Sequence, residues 1–400
     1  MTVSLGAPDQ LSICMYAPAA YGGHARYTNE LLSALSIVGQ DRGVKMLLVT
    51  SRDLAPNYRT SMYPIFDILP PLLHRSETRN TLHWAYNRIT YYIKRERAFL
   101  NWIERSKFTG GIHFQQYAPW VAPRHFRLLK ARGEHLFFTV HNVYPHSYLP
   151  GVPKPLQDSW NRTAWRLCDT LFVHTEDLRN ELAMFLGSRH PPIYVTPHGV
   201  WRYPDGSITP LNQEERLQRR HLLFFGMIRP NKGLEVLLRA MEKLPDYTLT
   251  VAGEPTEPAY QAYIRTLVRR LPTTQIELID RYIEETEIPQ LFAQSSLLVL
   301  PYTSFAAQSG VLHLAPAFGL PVVVTDVGTL GETVRRWGIG QVIPPNDDTA
   351  LAGAIQEMFT PRDYQRATKA MDQLRTDNSW RRAAEITIEA YRSVLGKTGV

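Results

Sequence analysis

The sequence predicts an α/β chain built of two parallel-sheet units, and three observations predict it. Short apolar runs alternate with helical patterns through both halves. A polar stretch containing Pro and Gly, Trp201 to Arg220, separates the halves. The chain has 400 residues, 44% of them hydrophobic, which exceeds one ordinary core and suffices for two. Alternating strands and helices imply a parallel sheet covered on both faces. Two such units make a two-lobed protein with a cleft between the lobes, and ligands are expected at the carboxyl ends of the strands. The expected boundaries are 1–200 for the first domain, 201–220 for a linker and 221–379 for the second. The last helix, 380–400, is expected to rejoin the first domain.

In the first half, Leu11 to Tyr16 reads as a strand. It ends in a turn carrying Gly22 and Gly23, and Tyr27, Leu31 and Leu35 then share one helical face. A strand, a glycine turn and a helix admit a phosphate or a sugar against the backbone, although two glycines can also simply make a turn. Met46 to Thr50, Ile112 to Phe114, Leu136 to Val140, Leu171 to Val173 and Ile193 to Thr196 are further strands. Leu136–Val140 runs into His141, placed where open α/β sheets bind ligands. His146 follows five residues later, as an assisting group or a loop cap. Thr175 reads as a helix N-cap.

Residues 79–107 form an expected helix dense in aromatic and basic side chains, including Trp84, Tyr86, Tyr91, Tyr92, Lys94, Arg95, Arg97 and Trp102. It fits an amphipathic helix packed on its own sheet, or a segment resting on an anionic membrane surface. No nucleic-acid-binding pattern accompanies it.

The second half is organised around Leu222 to Ala240. The apolar run Leu222–Phe225 is a strand, and Gly226 breaks it. A turn carries Arg229 and Lys232, and Leu234, Leu237, Leu238 and Met241 then recur at helical spacing. Two fixed cations at a strand-to-helix turn point to a phosphate site, because free backbone N–H groups and the helix dipole already favour an anion there. Two solvated surface cations are the plainer alternative. Strands follow at 248–252, 276–279, 297–300, 322–325 and 341–343. After Leu297–Leu300, the turn Tyr302 to Val311 opens a further helical stretch. Gln308, Ser309, Gly310 and Val311 there can meet an anion or sugar hydroxyls through backbone N–H groups and side chains. An ordinary N-cap at Ser309 is the alternative.

These stretches together resemble retaining glycosyltransferases of the GT-B fold, family 4. The turn Ile228-Arg229-Pro230-Asn231-Lys232-Gly233 is similar to the family's donor-phosphate loop. Thr139-Val140-His141-Asn142 is similar to its strand-end histidine, and Pro197-His198-Gly199-Val200 to the last turn of its first domain. The resemblance implies two Rossmann-like domains facing each other across a cleft, a nucleotide-sugar donor, and retention of anomeric configuration. It implies Arg229 and Lys232 on the donor diphosphate and His141 beside the donor sugar. Gly22, Gly23 and Gln308 to Val311 would lie near phosphate or sugar, and Gly226 and Tyr282 near the nucleotide. One departure is clear. The family's two glutamates fall at Ala306 and Leu314, and the Gln-Ser-Gly-Val stretch matches a variant without them.

The chemistry expected is transfer of a hexose from a UDP- or GDP-linked donor to a saccharide or lipid-linked acceptor. No cofactor is expected. No Asp-x-Asp occurs and no His/Cys cluster has metal spacing, so the turn cations and helix N-termini are expected to meet the leaving charge. A nucleotide-sugar epimerase on the same fold, and a non-catalytic nucleotide-sugar-binding or scaffold subunit, are the rival readings. Residues 1–200 carry 22 Lys and Arg against 14 Asp and Glu, whereas 201–400 carry 22 against 23. The excess positive charge therefore belongs to the first half, which implies an anionic partner. Cys14 and Cys168 are the only cysteines, which suits a reducing cytoplasm. No membrane span and no secretory leader are expected. The expected location is the cytoplasm, with peripheral attachment to the membrane as an extension.

Overall fold

The computed structural model describes residues 11–71, 81–144, 148–149, 151–201, 203, 208–304 and 309–396, with the side chains of 81–86 excluded. His146, Ala306 and Gln308, and the Trp84 and Tyr86 side chains, lie outside what is described. The chain divides into two compact units, 1–199 with 379–400, and 200–378.

The first unit holds seven parallel strands: β1 (Leu11–Tyr16), β2 (Val44–Ser51), β3 (Ile65–Leu69), β4 (Gly111–Phe114), β5 (His135–Thr139), β6 (Thr170–Val173) and β7 (Ile193–Val195). Their order is β3-β2-β1-β4-β5-β6-β7. The inner strands are apolar on both faces, as a sheet covered by helices on each side requires. Tyr16, Phe114, Phe126 and Phe138 join Phe99 and Ile103 in one core. Helix α1 (Gly22–Gln40) buries Tyr27, Leu31 and Leu35. The C-terminal helix Trp380–Leu395 packs in this unit, with Tyr391 fully buried against Phe137 and His113.

Helix α2 (Thr81–Ser106) settles which of its cations face water. Lys94 and Arg97 are exposed, beside exposed Ile89 and Ile93. Arg95 is 4% exposed and does not belong to a surface patch. Its Nε donates to Glu96 at 3.0 Å, and Glu96 also accepts from the Ala118 N–H at 3.2 Å and from the Tyr16 hydroxyl. A cation one helical step from an exposed face is drawn inward because Glu96, 0% exposed, needs a counter-charge.

The second unit holds six parallel strands: β8 (His221–Phe225), β9 (Thr248–Ala252), β10 (Ile276–Ile279), β11 (Leu297–Leu300), β12 (Val322–Thr325) and β13 (Gly340–Ile343). Their order is β10-β9-β8-β11-β12-β13. Two local expectations are corrected here. The stretch 201–220 is not all linker. Gln213–Arg219 is a helix with a full Asn212/Glu215 capping box, and its buried Arg216 donates to the Phe318 and Gly319 carbonyls at 2.9 Å. The helical stretch after Val311 is a 3-10 helix, Leu312–Phe318, because Pro316 inside it has no N–H to give.

Candidate active site

In the second unit the turn after β8 is built to hold cations still. Arg229 is extended, Pro230–Lys232 make one 3-10 turn, and Gly233 takes φ 64° before the helix Leu234–Met241. A Cβ on Gly233 would lie 2.0 Å from the Pro301 carbonyl oxygen, so only glycine lets this turn approach the end of β11 so closely. The two loops are tied by Thr303 N–H to the Asn231 carbonyl at 3.0 Å and by the Asn231 amide to the Ser304 carbonyl at 3.2 Å.

That approach brings Lys232 over Tyr302, with Nζ 3.6 Å from the ring centroid. The ring face stabilises the ammonium. Tyr302 is 1% exposed, and its hydroxyl lies 3.1 Å from the Ser309 Oγ. Ser309 is thus not capping its own helix. Its side chain is spent on Tyr302, and the first residue before the 3-10 helix, Val311, makes no side-chain cap. Burial first, and the Arg229 charge second, lower the Lys232 pKa from 10.5 to about 7. Arg229 keeps a buried Nε without a partner among the described residues. Two crowded cations, one with an orphaned donor, form a site that an anion would relieve. Gly226 and Val311 also meet here, since a Cβ on Gly226 would sit 3.2 Å from Val311 Cγ2. Among the described residues nothing lies within 4 Å of where a Cβ on Gly310 would stand. Tyr282, after β10, is 53% exposed.

In the first unit, consecutive strand ends carry a row of polar side chains: Gln115 after β4, His141 after β5, His174 after β6 and His198 after β7. His141 Nε2 lies 3.2 Å from the Gln115 side-chain oxygen, and its Nδ1 lies 3.0 Å from His174 Nε2. His174 Nδ1 lies 3.2 Å from the Thr196 carbonyl oxygen. Tyr27 of α1 stands among them, its ring 5.0 Å from His141, 5.2 Å from His174 and 5.3 Å from His198. His24 closes on His141 edge to face at 4.8 Å. Burial first, then the neighbouring histidines, hold the His141 pKa well below its ordinary 6.5. Burial lowers His174 to about 4 against the opposing pull of the Thr196 carbonyl. Both are neutral at pH 7.

Proton counting then fixes the tautomers. The Thr196 carbonyl only accepts, so His174 donates from Nδ1. A neutral His174 presents a bare Nε2, so His141 donates from Nδ1. That leaves His141 Nε2 bare, and the Gln115 amide must turn its nitrogen toward it and its oxygen toward the Thr139 hydroxyl. With the amide oxygen toward His141, the same chain carries one extra proton.

Of the site residues expected from sequence, Gly226, Arg229, Lys232, Ser309 and Val311 come together at the loops following β8 and β11. His141, Gly22 and Gly23 belong to the first unit, where the space around both glycines is open and the next residue, His24, touches His141. Tyr302, Gln115, His24 and His174 had no role in the sequence reading. Their shared signal is a polar or aromatic residue at or just past the end of an apolar strand, or beside the Gly22-Gly23 turn. Among the described residues no group of three or more His, Cys, Asp or Glu is placed to hold a metal.

Two parallel Rossmann-type sheets, one in each unit, are those of the GT-B fold. The chain belongs to glycosyltransferase family 4: residues 21–201 match the model of "Glycosyltransferase Family 4" and 219–360 that of "Glycosyl transferases group 1". It is 28% identical over 235 residues to a glycogen synthase of Mycobacterium tuberculosis, covering 56% of this chain and 54% of that protein. It is 29% identical over 184 residues to a GDP-mannose:glycolipid 4-beta-D-mannosyltransferase of Xanthomonas campestris, covering 44% and 50%. The chain thus spans about half the length of these relatives. The structure is similar to sucrose-phosphate synthase of Thermosynechococcus elongatus, with TM-score 0.74, 18% identity, and coverage of 97% of this chain and 100% of that one.

Proposed function

We propose that the protein moves a hexose from a nucleotide diphosphate sugar to an acceptor hydroxyl with retention of anomeric configuration. The observation that carries this reading is the pairing of Arg229 with Lys232 over Tyr302, beside the Ser309 turn. A diphosphate leaving group develops charge as the anomeric C–O bond breaks. Two pre-placed cations stabilise that charge without reorganising. The acceptor hydroxyl attacks from the face the diphosphate leaves, and a diphosphate oxygen takes its proton. No carboxylate nucleophile is required, which accords with Ala306. His141 positions the sugar. Leu314 is 7% exposed and apolar, so the nucleotide ribose is held by other groups. The charge is met by the protein's own cations, and we expect activity without a divalent ion.

The Xanthomonas relative is named for a glycolipid acceptor, and this supports a lipid-linked saccharide acceptor for this chain. Exposed Ile89 and Ile93 beside Lys94 and Arg97 on α2 support docking on an anionic membrane surface. No described helix is long and apolar enough to cross a membrane. The test of retention is donor hydrolysis followed by proton NMR. An α-linked donor should release the α-hexose first, and initial release of the β-anomer would reject a retaining mechanism.

A further inference from the structure

The hydrogen-bonded chain that holds His141 does not stop at Gln115. With the Gln115 nitrogen toward His141, its oxygen takes the place 3.1 Å from the Met15 sulfur and 3.4 Å from the Thr139 Oγ1. Of these two only the hydroxyl can donate, so the Thr139 proton goes to Gln115. Thr139 is buried and has two lone pairs to offer. His113 Nε2 lies 2.7 Å from its Oγ1, and the Tyr27 hydroxyl is hydrogen-bonded to it as well. A hydroxyl whose one proton is spent must accept from both, so His113 donates from Nε2. Burial lowers the His113 pKa to about 3, so the ring is neutral and its Nδ1 is bare. That nitrogen accepts from the hydroxyl of Tyr391, on the C-terminal helix.

The other end of the chain demands the same order. Tyr391 is fully buried, and among the described residues its hydroxyl has His113 as its hydrogen-bond partner. If the phenol accepted from His113, its own proton would be buried without an acceptor, the costly outcome for a buried donor. The Thr196 carbonyl can only accept, and the Tyr391 hydroxyl must donate, so opposite ends fix one direction. The donors run from Tyr391 through His113, Thr139, Gln115, His141 and His174 to Thr196, each giving its proton to the next. We infer that Tyr391 and His113 are positioning residues for His141. Neither is hydrogen-bonded to it. Through Thr139 they decide which way the Gln115 amide faces, and that amide and His174 hold the His141 ring at both nitrogens. The inference rests on the reading above, in which His141 positions the donor sugar, and adds the C-terminal helix to the parts that hold it.

The test is imidazole nitrogen NMR of the full chain at pH 7, on the wild type, Tyr391→Phe, His174→Ala and the double variant, with far-UV circular dichroism as the check on folding. In the wild type His113 should be the Nε2–H tautomer, opposite to His141. An Nδ1–H tautomer at His113 would overturn the inference before any variant is made. Tyr391→Phe removes only the hydroxyl and should move the His113 Nδ1 resonance to that of a nitrogen without a donor. An unmoved resonance would overturn the inference too. His174→Ala frees one end of the chain while Tyr391 still opposes reversal from the other. Adding Tyr391→Phe removes that opposition, so the ratio of Nε2–H to Nδ1–H at His141 should rise about tenfold over His174→Ala alone. A hydroxyl that merely packs would leave the two ratios equal, and equal ratios would contradict the inference. No substrate enters these measurements. UDP and GDP titrations on the same samples separate the two readings: nucleotide binding that persists while the tautomers disagree leaves the donor site standing.

Discussion

His174 Nε2 lies 3.0 Å from His141 Nδ1, and this contact makes His141 part of a proton-counted chain. The chain runs from the Thr196 carbonyl through two imidazoles to Gln115. It predicts that at pH 7 His141 is the Nδ1–H tautomer, with Nε2 as an acceptor. Imidazole nitrogen NMR checks this directly. His174→Ala should allow His141 to populate the other tautomer.

The same burial makes folding pH-dependent. A histidine whose folded pKa is depressed contributes full stability above the unfolded value, and that stability is lost as pH falls toward the folded pKa. For His174 the window runs from 6.5 down to about 4. At 1.36 kcal/mol per pKa unit the loss is about 3 kcal/mol at its lower end. Urea unfolding at several pH values should show stability falling through this window, and His174→Gln should flatten the slope.

Lys232 carries a second linkage, with binding. Its pKa of about 7 in the free protein reflects burial and the Arg229 charge. A bound diphosphate favours the ammonium and raises that value. Nucleotide binding near pH 8 should therefore take up a proton, and affinity should fall as pH rises above 7. Calorimetry in two buffers of different ionisation enthalpy measures the uptake, and Lys232→Met should abolish it.

Neighbouring cations on α2 should behave oppositely. Arg95→Gln strands the buried Glu96 and should cost about 3–5 kcal/mol of stability, read by urea unfolding. Lys94→Gln with Arg97→Gln should leave stability within about 0.5 kcal/mol. The double variant should instead weaken sedimentation with anionic liposomes, most visibly at low salt. Liposome binding unchanged across a salt series would remove the membrane-docking proposal.

The strands inside a sheet were legible in sequence, because a parallel strand buried on both faces is rich in apolar residues. β3 was not legible. It is an edge strand, and Asp67 interrupts Ile65-Phe66-Asp67-Ile68-Leu69 to pair with Arg59 at 2.9 Å near the surface. The Asn212-Gln213-Glu214-Glu215 capping box was present in the sequence but lay inside a polar, Pro-containing stretch that reads as linker. Arg229 and Lys232 were legible as neighbouring cations of one turn, because a strand, a turn and a helix are local. Tyr302 beneath Lys232 was not, because only the sheet order places β11 beside β8. Thr175 was read as a helix N-cap and does accept from the Leu178 N–H at 3.1 Å, but nothing in the sequence singled out the preceding His174. Its bond to His141, 33 residues away, is set by the pairing of β5 with β6.

The central claim is that Arg229 and Lys232 form a donor-diphosphate site, and nucleotide titration tests it most directly. UDP, GDP and ADP are titrated into the protein with and without magnesium, and again into Arg229→Ala. The account predicts micromolar binding of one nucleotide, indifferent to magnesium and weakened by roughly a hundredfold or more in the variant. No binding of any of the three, or binding that Arg229→Ala leaves intact, would contradict it.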